Sequence, residues 1–261
     1  MGALCAPPTL VILAAGAGTR LGAERSRVPK PLTNVLGSSL LARTLEAACE
    51  AGLERAVVVT GYCADQVEAH ARSHAVSLPL TLEVVRNEHW QGGNGSSVLA
   101  AEMAVGDRFL VTMADHLVPP PFLRRLANAK HADAAGLLLV DHQLAGVHDL
   151  PEATKVRLEG TRIIAIGKQI DPFDAADTGV FSFYRRIFDA LRSEAAAGRA
   201  ELSGAVQRLA DRGLMHAVSS DGSFWCDVDT PEDLAYVSGI IELGLPRARP
   251  AAARPAALAS G

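Results

Sequence analysis

Along the first half of the chain, short runs of consecutive apolar residues alternate with stretches whose apolar positions recur every three or four residues. Runs of the first kind fit buried strands and those of the second fit amphipathic helices, so together they predict βαβ units and a mainly parallel sheet. Thr9 to Ala14 reads as the first strand, followed by a glycine-bearing loop and a helix near Ser39 to Ala51 with Leu41, Leu45 and Ala48 on one face. Strands at Ala56 to Thr60, Leu80 to Val85 and Phe109 to Met113 alternate with helices at Ala64 to His74 and Ser96 to Val105. Between residues 135 and 183 the runs shorten and crowd together (Leu137 to Val140, Lys155 to Leu158, Ile163 to Ile166, Val180 to Phe183), with Gly160 marking a tight turn, so the sheet becomes mixed there. Helices at Ile187 to Ala197, Ser203 to Asp211 and Glu232 to Leu243 close the domain, the last opened by Thr230 as cap and Pro231 as first helical residue.

Composition narrows the class. Of 261 residues 49% are apolar and 21% charged, enough to bury a core. The formal charge is −4 and no Lys/Arg run is interleaved with aromatics, so a nucleic-acid partner is not expected. The longest apolar runs fall short of the ~20 residues of a membrane helix, and no basic flank opens a signal peptide, which predicts a soluble cytoplasmic protein. Four scattered cysteines lack metal-ligand spacing and read as idle or buried thiols. The predicted organisation is an N-terminal extension over 1–8, one domain over 9–244 with halves 9–134 and 135–244, and a disordered tail over 245–261, where ten of seventeen residues are Pro or Ala.

The strongest local signal for chemistry is Leu13-Ala14-Ala15-Gly16-Ala17-Gly18-Thr19-Arg20-Leu21-Gly22, followed by Val28-Pro-Lys30-Pro-Leu32. Small residues let backbone N–H groups wrap a polyphosphate, and Arg20 and Lys30 bring cations to the same loop. Leu21 stands where a dinucleotide fingerprint wants glycine, and no Gly-Lys-Ser/Thr follows to make a P-loop. A purely structural glycine turn is the bland alternative. Asp115 falls just past a strand, at the carboxyl edge where open α/β sheets keep ligand residues, although an Asp ahead of Pro119 to Pro121 also suits a helix or turn cap. Asp227 and Asp229 lie two apart, so in an extended segment both carboxylates share one face.

The loop and its Pro-Lys-Pro-Leu partner resemble the signature of nucleotidyltransferases that activate sugar phosphates. With Asn87 to Ser97, Met113-Ala-Asp-His116, Glu152-Ala-Thr-Lys155-Val156, Ile166-Gly-Lys168, Asp177-Thr-Gly and Trp225-Cys-Asp227-Val-Asp229-Thr-Pro231, the series is similar to the CTP:inositol-1-phosphate cytidylyltransferases over roughly residues 9 to 240. The resemblance implies a Rossmann-like three-layer nucleotidyltransferase fold with a mainly parallel, partly mixed central sheet. It implies CTP and inositol 1-phosphate as substrates, Mg²⁺ as cofactor, and a separate membrane-bound CDP-alcohol transferase for the next step, since no segment here spans a bilayer. A homodimer is left open.

By this resemblance Leu13, Ala14, Ala15, Gly16, Gly18, Thr19, Arg20 and Lys30 bind the triphosphate, and Asn87, Asn94, Gly95 and Ser97 read the base. Asp115 and Asp227 hold the metal, Asp227 being favoured over Asp229, which could instead cap the following helix. Lys168, Lys155, Asp177, Glu152 and His116 face the acceptor, His116 also serving to orient Asp115. Such a transfer needs no general base, because the attacking phosphate oxygen is already ionised, so cations and a divalent metal carry it. Lys30 and Arg20 have the alternative of ordinary exposed cations, Lys168 and Lys155 that of a solvated strand edge, and Asn94-Gly95 that of a turn. Another acceptor or donor nucleotide, or a catalytically silent nucleotide-binding subunit, are the competing readings.

Overall fold

In the computed structural model, residues 7–18, 20, 28–129 and 133–244 are described. Thr19 and residues 1–6 and 245–261, which carry the predicted tail and most of the extension, lie outside them. The strands are β1 (Thr9–Ala14), β2 (Asn34–Val35), β3 (Ser38–Ser39), β4 (Arg55–Thr60), β5 (Thr81–Arg86), β6 (Arg108–Met113), β7 (His116–Leu117), β8 (Gly136–Asp141), β9 (Lys155–Glu159), β10 (Arg162–Gly167), β11 (Ala175–Tyr184), β12 (Met215–Ser219) and β13 (Cys226–Asp227). The helices are α1 (Leu40–Glu50), α2 (Ala64–Ala75), α3 (Asn94–Ala100), α4 (Pro120–Asn128), α5 (Arg186–Ala196), α6 (Leu202–Asp211) and α7 (Pro231–Glu242).

Nine strands form one sheet in the order β5-β4-β1-β6-β11-β8-β12-β10-β9. The β5-β4-β1-β6 half is parallel, and β11 runs antiparallel to both β6 and β8, so the mixed half begins there. Every residue of β1 is buried because both faces are covered. Leu10, Ile12 and Ala14 pack with Leu41 and Leu45 of α1 and Phe122 and Leu126 of α4, whereas Val11 and Leu13 pack with Val98, Leu191 and Val206 of α3, α5 and α6. Three layers result, as the sequence predicts. Among the described residues no helix is long and apolar enough to cross a membrane.

The differences from expectation have physical causes. Helix α4 begins at Pro120, where the sequence left a helix or a turn open, because proline's missing N–H and fixed φ suit the first helical turn. The helix predicted to reach Val105 ends at Ala100 and gives way to a 3₁₀ turn over Glu102–Ala104, where Met103 is exposed and adds nothing to the core. Strand β12, not predicted, has a weak apolar pattern and exists by parallel pairing with β8 and a bridge to β10.

From β1 the chain moves outward to β4 and β5 and then returns to the other side of β1 as β6, so the strand order reverses between β1 and β6. Crevices at such reversals hold ligands in open α/β sheets. The start of α3 is fixed to the other half of the chain: Gly95 N–H donates to Ala200 O at 2.7 Å and Asn94 Oδ1 accepts from Leu202 N–H at 2.8 Å. A Cβ on Gly95 would stand 2.5 Å from the Ala200 oxygen, a backbone atom that cannot swing away. Gly95→Ala is therefore expected to destabilise the fold by about 1–3 kcal/mol in urea unfolding, and an unchanged midpoint would dismiss this clamp.

Candidate active site

At the strand reversal β1 ends in Ala15-Gly16-Ala17-Gly18, and the Ala114 N–H after β6 donates to Leu13 O at 3.0 Å, which sets the two loops side by side. Gly18 has φ +61°, and a Cβ there would lie 2.4 Å from the Lys30 Cβ, so the lysine passes directly beneath the loop. Around Gly16 an added Cβ meets nothing within 4 Å, as expected of a position facing an open cradle. Lys30 opens a 3₁₀ turn held by Pro29 and Pro31 and is 6% exposed.

A buried ammonium needs partners. Lys30 Nζ donates to Asp115 Oδ2 at 2.6 Å and, still closer, to Asp229 Oδ1, while Asp229 Oδ2 accepts from the exposed Arg20 at 2.6 Å. Burial alone would lower the Lys30 pKa, but the two carboxylates hold it above its ordinary value. Likewise burial would raise the Asp115 carboxyl, and the Lys30 ammonium together with the His116 ring keeps it far below the usual carboxylate range. His116 Nδ1 donates to Asp115 Oδ1 at 2.8 Å, and although burial lowers its pKa, Asp115 and then Asp227 raise it overall.

Asp115 and Asp229 come together through a two-strand pairing, β7 against β13, continued by Val228 N–H donating to Asp115 O at 2.9 Å. Cys226 and Val228 are buried and Asp227 and Asp229 are not, so the two carboxylates share one face as their spacing predicts. Asp229 joins Asp115 on Lys30, while Asp227 lies opposite His116 and faces the second cleft. Asp229 does not supply the side chain that caps α7, a task done by Thr230 and Asp233.

Two clefts meet at Arg20, Asp115 and Asp229. One, about 260 Å³, is lined by Leu13, Ala14, Gly16, Gly18 and Lys30. The other, about 440 Å³, is walled by Asn94, His116, Glu152, Lys168, Asp177 and Asp227. Lys168 Nζ reaches Glu152 Oε2 at 3.3 Å on its rim. Asp177 Oδ1 accepts the Gly179 N–H at 2.7 Å, yet burial, aided by Asp227, pushes its carboxyl up to about 6. Gly179 itself has φ +74° and leaves room for the His116 ring, which an added Cβ would meet at 2.4 Å.

Five predicted residues are engaged elsewhere. Lys155 Nζ, buried, donates to the carbonyls of Pro151, Ala153 and Lys168 and so ties two loops behind the cleft. Asn87 donates to Ser96 and Ser97 and accepts from the His89 N–H, so Asn87 and Ser97 hold the loop together from within. Ala15 is buried and its carbonyl accepts from Tyr62 N–H at 2.9 Å. Gly95 makes its close approach to Ala200 and not to an open surface. Conversely Glu201, Ser203 and Trp225 line the larger cleft without having been singled out. Only Trp225 carried a signal, its place beside Asp227; its Nε1 donates to the buried Asp141 at 2.8 Å.

Asp115 and Asp229 present hard oxygen donors to one point that already carries positive charge. Among the described residues no three His, Cys, Asp or Glu side chains are arranged to cage a metal. Asp115, with Asp229 or Asp227, is the kind of donor set that a divalent cation such as Mg²⁺ takes, one or two carboxylates with phosphate oxygens and water.

Residues 10–218 match the family model of the MobA-like NTP transferase domain. The chain is 39% identical over 226 residues to the bifunctional IPC transferase and DIPP synthase of Rubrobacter xylanophilus, covering 85% of this chain and 49% of that protein. It is 34% identical to the protein of the same description from Archaeoglobus fulgidus, covering 86% and 42%. This chain thus spans about half the length of the curated relatives it matches. The inositol-1-phosphate CTP transferase from T. maritima superposes with a TM-score of 0.80 at 27% identity, covering 91% of this chain and 96% of that one. A UDP-glucose pyrophosphorylase superposes with a TM-score of 0.75 at 20% identity, covering 90% and 98%, which is a likeness of fold alone. Together with the glycine cradle at the strand reversal, the match over residues 10–218 establishes that the chain belongs to the MobA-like NTP transferase family.

Proposed function

We propose that this chain transfers a cytidylyl group from CTP to inositol 1-phosphate, giving CDP-inositol and pyrophosphate. The observation that carries the reading is the cluster of Arg20, Lys30, Asp115 and Asp229 at the seam of two clefts, one shaped for a polyphosphate and one walled by hydroxyl-accepting carboxylates. Residues 9–134 take the nucleotide and 135–244 most of the acceptor. A phosphate oxygen of the acceptor attacks the α-phosphorus of CTP, and the bond from that phosphorus to pyrophosphate breaks. Lys30 and Arg20 neutralise the charge that builds there, and Lys168 meets the acceptor phosphate. Asp177, Asp227 and Glu152 accept hydrogen bonds from ring hydroxyls, for which carboxylates are suited. Asp115 and Asp229 would hold Mg²⁺, which would supply further positive charge against the phosphates. The names of the relatives, IPC transferase and inositol-1-phosphate CTP transferase, support this choice of substrates. CDP-inositol would then pass to a membrane-bound CDP-alcohol transferase.

The test is pyrophosphate release with Mg²⁺ over CTP, UTP, GTP and ATP against inositol 1-phosphate, glucose 1-phosphate and an aminoalkylphosphonate. Release confined to CTP with inositol 1-phosphate is expected; another productive pair reassigns the substrates, and silence throughout rejects the transfer. Asp115→Asn should retain the fold by circular dichroism and lose turnover by about 100-fold or more, the scale seen when one charge-stabilising group is removed; a rate near wild type removes Asp115 from the machinery.

Asp177 also predicts a pH dependence. Its native pKa of about 6 exceeds the ordinary ~4 of an aspartate, so between those values the folded chain holds a proton that the unfolded chain has released. That contribution favours the fold below about pH 4 and is gone above about pH 6. Asp177→Asn, neutral at every pH, should therefore raise Tm most near pH 7.5, with the gap closing toward pH 4.5, while its acceptor KM rises. A gap independent of pH contradicts the assignment.

A further inference from the structure

Helix α7 is opened by a reciprocal cap: Thr230 Oγ1 accepts from Asp233 N–H at 3.2 Å and Asp233 Oδ2 accepts from Thr230 N–H at 2.8 Å. That exchange stabilises a helix end and needs nothing further from the carboxylate. Asp233, only 7% exposed, makes two additional contacts. Its Oδ2 also accepts the Asp229 N–H at 3.0 Å, and its Oδ1 accepts from His148 Nε2 at 3.0 Å. His148 belongs to the segment between β8 and β9 that carries Glu152 to the larger cleft, and its ring stacks on Tyr236 of α7 with centroids 4.0 Å apart. One buried carboxylate thus joins the acceptor-side loop, the last helix and the backbone of Asp229.

We propose that Asp233 is a positioning residue: by holding the Asp229 N–H from behind, it aims the Asp229 carboxylate at Lys30 and Arg20. Asp229 has no other strand partner at this point, because β13 ends at Asp227. Its side-chain direction is therefore set by Val228 on one side, bonded to Asp115 O, and by Asp233 on the other. Outer groups of this kind orient the ligands they touch. The inference rests on the reading of Asp115 and Asp229 as the carboxylates that hold the divalent cation.

The experiment separates aiming from helix capping. Mn²⁺ is titrated into the full chain with CTP and no acceptor, following the free-ion electron paramagnetic resonance signal, alongside Tm, kcat and KM. Asp233→Ala should raise the half-saturating Mn²⁺ concentration about tenfold, the lower end of the effect of losing an outer-shell partner, and lower kcat more than it changes acceptor KM. Asp233→Asn, which keeps an oxygen for the two backbone N–H groups, should recover most of the loss. Thr230→Ala removes half of the cap without touching the Asp229 N–H, and should lower Tm while leaving Mn²⁺ binding and kcat as in wild type. Equal effects of Asp233→Ala and Thr230→Ala on Mn²⁺ and kcat, or wild-type Mn²⁺ binding by Asp233→Ala, overturn the positioning role alone. No Mn²⁺ binding by the wild type overturns the cation reading and the positioning role with it.

Discussion

Everything at the site depends on the burial of one ammonium. Lys30 is nearly enclosed, and a charge removed from water is tolerated only when opposite charges and hydrogen bonds replace the water. Asp115 and Asp229 supply them from positions 85 and 199 residues further along the chain. That demand draws in the rest of the geometry. β6 must lie beside β1 so that Asp115 emerges next to the glycine loop, and the short β7/β13 pairing must bring the end of the domain back to the same point. Gly18 has no side chain because Lys30 runs beneath it.

The same burial explains how much could be read before the structure was known. Strands buried on both faces announce themselves as unbroken apolar runs, so β1, β4 and β6 are plain in the sequence, and with them the positions of the glycine loop and Asp115. Helix α4 stays hidden because its first turn is proline, which marks a turn and a helix start equally. Strand β12 stays hidden because its only claim to that conformation is a neighbour. Among the site residues the difficulty is of another sort. Asn87, Ser97 and Lys155 have the donors and acceptors that recognition needs, and the fold engages those same groups in fastening loops. Asp227 and Asp229 are chemically identical and share a face, so only the return path of the chain past Lys30 separates their surroundings.

The two halves of the chain are joined around the clefts by contacts between loops as well as by the sheet. The segment Arg199 to Leu202 bonds back to Asn94 and Gly95 and is anchored in turn through buried Glu194, which pairs with Arg199 and Arg208. Those two arginines more than offset the effect of burial and hold the Glu194 carboxyl at about 2. On the far side His148 ties the β8–β9 connection to α7. The wall of the larger cleft is therefore fastened from both ends of the domain, which suits the in-line transfer we propose.

The β7/β13 pairing is only two residues long on each strand, and the residues around it pack in a small cluster of their own: Val35, Leu40, Cys226, Val228 and Val237, apart from the two large cores that sandwich the sheet. Cooperative units of this size open at a lower free energy than a central sheet does. Local opening there would part Asp229 from Lys30 while the nine strands and both main cores stay closed, so the site can come apart without the fold doing so.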